Sequence, residues 1–142
     1  MIAVWFARVM GVVLAVAAVA GYFIEGEHML GIMNVDVPLD VVRTVLAVAL
    51  LVVGFARVPR AALNVVLALL GASYLLVAIL GFIDVELWGL LPTGLTPFDL
   101  AFHLVVGAVA IGLMFSPPAA ESRDAVDRGA AARASAAGAP RS

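Results

Sequence analysis

Four long apolar runs govern what this chain can become. They lie at about residues 5–24, 38–56, 61–83 and 97–115, each roughly 19–23 residues long. A hydrocarbon core of about 30 Å needs roughly 20 helical residues at 1.5 Å per residue. Backbone groups facing lipid must be paired within their own segment, so such runs are helical; a barrel would need alternating strands of about ten residues, and the sequence has none. Composition agrees, since 65% of the 142 residues are apolar, 13% are charged and the mean hydropathy is +1.17. A soluble domain carries about 25% charged residues. The expected fold is an all-α membrane protein with four transmembrane helices in one domain, residues 1–116, and the lipid bilayer as its first partner.

The connections are unequal. A polar stretch from Glu25 to Val37 follows the first run, Arg57 to Arg60 closes the second tightly around Pro59, and Asp84 to Thr96 precedes the fourth. After Ser116-Pro117-Pro118 the chain turns to Ala, Arg, Ser, Gly and Pro, with Val126 the one large aliphatic residue. Such a composition cannot offset its ordering entropy by apolar burial, so residues 117–142 are expected to form a disordered cytoplasmic tail. Ala15-Val16-Ala17 resembles a signal-peptide cleavage site. No cation precedes Arg8, however, and the segment recurs later in the chain, so the first run is read as a retained span.

All eight cations are arginines, and their placement orients the chain. Arg8, Arg57, Arg60, Arg123, Arg128, Arg133 and Arg141 share one side of a four-pass topology. Glu25, Glu27, Asp36, Asp40, Asp84, Glu86 and Asp99 take the other, with Arg43 the sole cation there. The positive-inside rule puts both termini in the cytoplasm of a multi-pass plasma-membrane protein. Trp5 and Trp88 fall near opposite surfaces, as interfacial anchors do. A net charge of −2 excludes a polycationic nucleic-acid surface, and the absence of cysteine removes disulfides and thiolate chemistry.

A repeat with a period near sixty runs through the spans. Gly11 and Gly21 match Gly71 and Gly81; Gly31-Ile32-Met33 matches Gly89-Leu90-Leu91; Pro38-Leu39-Asp40 matches Pro97-Phe98-Asp99. Two tandem helix–acidic loop–helix hairpins follow, and an even number of helices per unit makes the repeats parallel rather than inverted. On these residues the chain resembles the actinobacterial four-helix membrane proteins grouped as domain of unknown function 4383. The resemblance covers about Arg8 to Phe115 and is carried best by Asp99-Leu100-Ala101-Phe102-His103-Leu104-Val105-Val106-Gly107, which is similar to the family's Asp-x-x-x-His-x-x-x-Gly run. Thr44 and Val48 stand where the first half of the family has His and Gly, and Leu100-Ala101 where it has Asn-Trp. The resemblance implies the four-helix fold and no established activity.

The candidate site is a polar cluster of Asp40, Arg43, Thr44, Asp99 and His103. Thr96-Pro97-Phe98-Asp99 has capping spacing: Thr at the N-cap, Pro at N1, an acid at N3 facing the positive end of the helix dipole. Asp40 occupies the matching place after Pro38 and carries the same expectation of a cap; the functional alternative is a cation-binding or proton-carrying aspartate pair. His103 follows Asp99 by four residues and Arg43 follows Asp40 by three, so each pair shares a helix face. The two pairs are expected to meet between the second and fourth helices. His103 should face the interior within reach of Asp99 or Thr44, while Arg43 extends to the interface. A proton relay through His103 is the sharper reading. His28 and His103 lack metal-ligand spacing, so no metal and no cofactor is expected. Ser73, Tyr74 and Asn64 are the sparse polar groups deeper in the third span, expected to bond between helices. Small residues at spacing four (Gly11/Ala15, Ala17/Gly21, Ala68/Ala72, Ala108/Gly112) suit close helix packing inside the bundle.

No nucleophile–base pair or phosphate loop is present, and an enzyme is not expected. The reading is a non-catalytic helical bundle that packs with itself, as a homo-oligomer, or with a membrane-protein partner. The alternative is a small carrier or proton-linked transporter using Asp40, Arg43, Asp99 and His103.

Overall fold

The computed structural model describes residues 2–24, 28–116, 128, 129 and 133. The remainder of the expected tail, residues 117–127 among it, lies outside the described residues, as do Glu25 and Glu27. In chain order come helix α1 (Ile2–Phe23), a two-stranded hairpin of β1 (His28–Met29) and β2 (Met33–Asn34), then helices α2 (Val37–Phe55), α3 (Arg60–Ile83) and α4 (Pro97–Met114). All four helices are long and apolar enough to cross a membrane, at 22, 19, 24 and 18 residues. Their ends fall within a residue of the sequence boundaries except at α1, which begins three residues early because nothing in Ile2-Ala3-Val4 breaks a helix.

Helix α1 packs chiefly on α2, and α3 on α4, each pair antiparallel. Close approach within the pairs depends on glycine. A Cβ at Gly71 would lie 2.6 Å from Ile111 Cγ1, and one at Gly107 would lie 2.9 Å from Leu75 Cγ. One core runs through the bundle, built from Ala7, Met10 and Leu14 of α1, Leu46 and Leu50 of α2, Leu67, Leu70 and Tyr74 of α3, and Val106 and Ala110 of α4. These residues recur at three- and four-residue spacing, so each helix buries one stripe. The opposite faces are equally apolar: Val9, Val12, Val16 and Val19 of α1 are exposed, as are Val41, Val45, Val48 and Val52 of α2. A helix that is apolar all round fits lipid contact on its outer face.

The described parts of the two acidic connections are folded. The first, read from sequence only as a polar stretch, turns through Leu30 and Gly31 at φ 54° and 72°, pairing Met29 with Met33. The second turns through Leu87, Trp88 and Gly89 at φ 47°, 57° and 85°, with Asp84 accepting from the backbone N–H of Glu86 and Trp88 at 3.0 and 2.8 Å. Left-handed leucine and tryptophan cost on the order of 1 kcal/mol each. The Asp84 carboxylate, holding two amides at once, helps offset that cost in the second turn. A small apolar cluster of Leu39, Leu91 and Leu95 seats the second loop on the start of α2.

Candidate functional site

Among the described residues six polar or charged side chains are buried, and all lie at the end of the bundle that carries the acidic loops: Asn34, Asp36, Asp40, Arg43, Asp99 and His103. Arg43 is the seventh residue of α2 and His103 the seventh of α4, so each stands about 9 Å along its helix at 1.5 Å per residue.

Asn34 is the hub. It is 0% exposed, and its Nδ2 lies within hydrogen-bond distance of Asp36 Oδ2, Thr93 Oγ1 and the Gly94 carbonyl at 2.7, 2.7 and 2.9 Å. Its Oδ1 accepts from the Asp36 N–H at 3.0 Å, a local Asx turn that sets the entry into α2. Its backbone N–H donates to Asp99 Oδ2 at 2.9 Å, and its carbonyl accepts from Arg43 Nη1 at 2.7 Å. Asp36 Oδ2 takes two further bonds from Thr93, from the N–H at 3.0 Å and from the hydroxyl at 2.8 Å. One asparagine therefore ties the first loop, the second loop, α2 and α4 together.

Arg43 is 1% exposed and does not extend to the interface as expected from sequence. Its Nη1 donates to Asp40 Oδ1 at 2.6 Å, and its Nη2 lies 3.8 Å from Asp99 Oδ1. The reason is geometric: a carboxylate one turn earlier and a carbonyl from the first loop both accept from Nη1 and hold the guanidinium inward. Asp40 consequently does not cap its helix. The N-cap is Asp36, whose side chain makes no cap bond, and Asp40 lies one turn inside as an ion-pair partner. Asp40 also seats against Gly21 of α1, where a Cβ would come within 2.0 Å of Oδ2.

At α4 the capping motif forms in full. Thr96 Oγ1 accepts from Asp99 N–H at 3.2 Å, and Asp99 Oδ2 accepts from Thr96 N–H at 2.9 Å. The single hydroxyl proton of Thr96 faces both Asp99 Oδ2 and the carbonyl of Ile32, which draws the first loop onto the cap of α4.

His103 faces the interior, but its contact to Asp99 is with the backbone carbonyl: Nδ1 donates to Asp99 O at 2.7 Å. That bond leaves Nε2 as the acceptor nitrogen of the neutral ring, beside Tyr74, whose ring centroid is 4.4 Å away. His103 Nε2, Tyr74 Oη and Arg43 Nε have no hydrogen-bond partner among the described residues. Thr44, the alternative to Asp99 as partner of His103, is turned away. Its hydroxyl donates to the Asp40 carbonyl at 2.8 Å and meets Tyr22 Oη at 3.3 Å on the α1 side, because one residue beyond Arg43 rotates the side chain about 100° around the helix. Ser73, expected to bond between helices, donates back to Leu70 O at 3.1 Å within α3.

The structure thus brings Asp40, Arg43, Asp99 and His103 to one end and leaves Thr44 outside. It adds Asn34, Asp36, Thr93 and Gly94, which the sequence did not single out. Asn34-Val35-Asp36 is a recognisable Asx-turn spacing, yet its meeting with Thr93 spans nearly sixty residues and leaves no local signal. Among the described residues no group of three or more His, Asp or Glu side chains is placed to hold a metal. No protein-family model, curated protein or solved structure matches the chain.

Proposed function

We propose that the chain is a small, non-catalytic integral membrane protein that acts by packing against a second copy or another membrane protein. The observation that supports this reading best is the closure of the Asn34 hub. Its side-chain and main-chain polar groups are engaged by residues from both loops and two helices, so the cluster works as a clasp. A carrier would need such groups to line a path beyond the first two turns, and the deeper spans offer little for it. Ala108 and Gly112, at spacing four on α4, face outward with open space at Gly112, leaving a surface that a neighbouring helix can approach closely.

In this reading the arginine-bearing end is cytoplasmic, both termini with it, and the acidic loops face outward in the plasma membrane. The two hairpins are copies of one unit. Supporting this, Gly11 abuts Leu51 while Gly71 abuts Ile111, forty residues on in each case, and both loops turn through a left-handed residue followed by glycine. The four-helix proteins of domain of unknown function 4383 remain the family it resembles.

Reconstitution tests the function. Vesicles loaded with a pH-sensitive dye should show the proton and cation permeability of protein-free vesicles. Flux that disappears in Asp99→Asn/His103→Ala would replace the packing reading with the carrier. Reporter fusions after Phe55 and Ser116 should behave as cytoplasmic, and one after Met33 as exported; an exported reporter at Ser116 would sink the topology.

A further inference from the structure

At the end opposite the clasp, α1, α2 and α3 and the α2–α3 connection line a half-open cavity of about 380 Å³, and three of its lining residues are arginines: Arg8, Arg57 and Arg60. Among the described residues no carboxylate lines it. We propose that this cavity is a phosphate-recognising site that takes the headgroup of an anionic phospholipid.

The three arginines are held in ways that leave donors for a ligand. Arg8 donates from Nε to the Gly54 carbonyl at 2.6 Å, and its guanidinium carbon stands 5.5 Å from the Trp5 ring centre and 5.1 Å from that of Phe55. One nitrogen and two aromatic faces fix the plane while both terminal nitrogens stay uncommitted among the described residues. Gly54 makes this possible, since a Cβ there would meet Arg8 Cγ at 2.9 Å. Arg60 commits Nη2 to the Leu113 and Ser116 carbonyls at the end of α4, at 3.2 and 2.9 Å. Arg57 is exposed on the short α2–α3 connection and makes no ion pair among the described residues.

Backbone electrostatics point the same way. Helix α3 starts at Arg60 behind Pro59, with no side chain capping it, so the positive end of its dipole opens on the cavity through Arg60 and Leu63. The cavity also lies near the ends of three helices, which is headgroup depth for helices that span a bilayer. The volume falls in the range of small-ligand sites, and a bidentate guanidinium suits a phosphodiester oxygen pair. Basic pockets between spans at a membrane surface recognise anionic headgroups by this chemistry.

Trp5 stands beside the site and Trp88 at the far end, so the full-length Trp88→Phe variant has one reporter. Reconstituted in phosphatidylcholine vesicles, it should be quenched by brominated phosphatidylglycerol at a lower mole fraction than by brominated phosphatidylcholine. Arg57→Gln, which removes no hydrogen bond or ion pair among the described residues, should reduce that preference about fivefold. Arg123→Gln/Arg128→Gln should leave the preference intact. Equal quenching by the two lipids, or a preference that survives Arg57→Gln and falls with the tail variant, would overturn the site. Displacement of the brominated lipid by millimolar inorganic phosphate would assign the cavity to a soluble phosphate instead of a lipid. The inference rests on the helices being spans, and that premise fails separately: Trp5 would then be quenched by neither lipid.

Discussion

The two ends of the bundle handle charge in opposite ways. At the acidic end, Arg43 is buried against Asp40 and near Asp99, and its Nη1 also donates to the Asn34 carbonyl. At the basic end, Arg8 and Arg60 rest on carbonyl oxygens and aromatic rings, with no carboxylate among the described residues lining their cavity. A guanidinium closed on carboxylates is a fixed structural part, and removing it leaves anions in a poor solvent. A guanidinium resting on neutral groups keeps its charge for something outside the chain. The difference teaches that the same residue type, at mirrored depths, can serve cohesion at one end and recognition at the other.

The sharpest way to break that contrast is Arg43→Met. The substitution preserves bulk but leaves Asp40 and Asp99 buried without their cation, and loss of one partner of a buried pair costs about 3–5 kcal/mol. Equilibrium unfolding in mixed micelles should show it. A compensating Arg43→Met/Asp40→Asn variant should recover a large part of the loss. If Arg43→Met unfolds like wild type, the clasp carries no cohesion and the comparison collapses.

Next in size is Gly21→Ala. Its Cβ would enter the space of the Asp40 carboxylate, itself pinned by Arg43, so the helix pair must part or the ion pair must bend. Overpacking of this kind costs about 1–3 kcal/mol. Gly112→Ala is the internal control: nothing lies near its Cβ, and the better helix former should be neutral or slightly stabilising. Equal effects at the two glycines would mean the α1–α2 contact is looser than described.

The fold and this site were legible to different degrees, for physical reasons. The spans were readable because lipid imposes length and apolarity on every one of them. The cap at Thr96 and Asp99 was readable because both partners sit within one turn, as were the faces shared by Asp40 with Arg43 and by Asp99 with His103. What the sequence hid is the meeting of two loops. Asn34 meets Thr93 and Gly94 about sixty residues away across the two loops, and its carbonyl is one of the two acceptors that hold Arg43 inward. Thr44 misled for a related reason, since the repeat alignment placed it opposite His103 while the turn of α2 sends it toward Tyr22.

His103 tests a smaller part of the clasp. Its Nδ1 bond closes on the carbonyl of its own helix, and its ring fills the space against Tyr74 and Phe102. His103→Ala should cost about 1–3 kcal/mol from the lost side-chain bond and the lost ring packing, while the Asp99 carbonyl keeps its helical bond to the residue-103 N–H. His103→Asn, whose amide can donate near the place of Nδ1, should recover more than His103→Leu, which restores only bulk. The reverse order would show that the ring matters for packing alone.

The smallest effect belongs to the basic end. Arg60 Nη2 reaches the Leu113 and Ser116 carbonyls, where α4 ends and its dipole is negative. A cation placed there contributes about 0.3–1 kcal/mol, screened by salt. Arg60→Met should therefore barely move the unfolding midpoint in a neutral detergent. Its effect should instead be local: the amides of Phe115 and Ser116, which bond to Gly112 and Leu113 in the last turn, should exchange with solvent faster. The amides of Asn34 and Thr96, held on Asp99 at the other end, should keep their protection. Faster exchange at both ends would show the bundle loosening as one unit, and the division of labour between its two arginine sets would not stand.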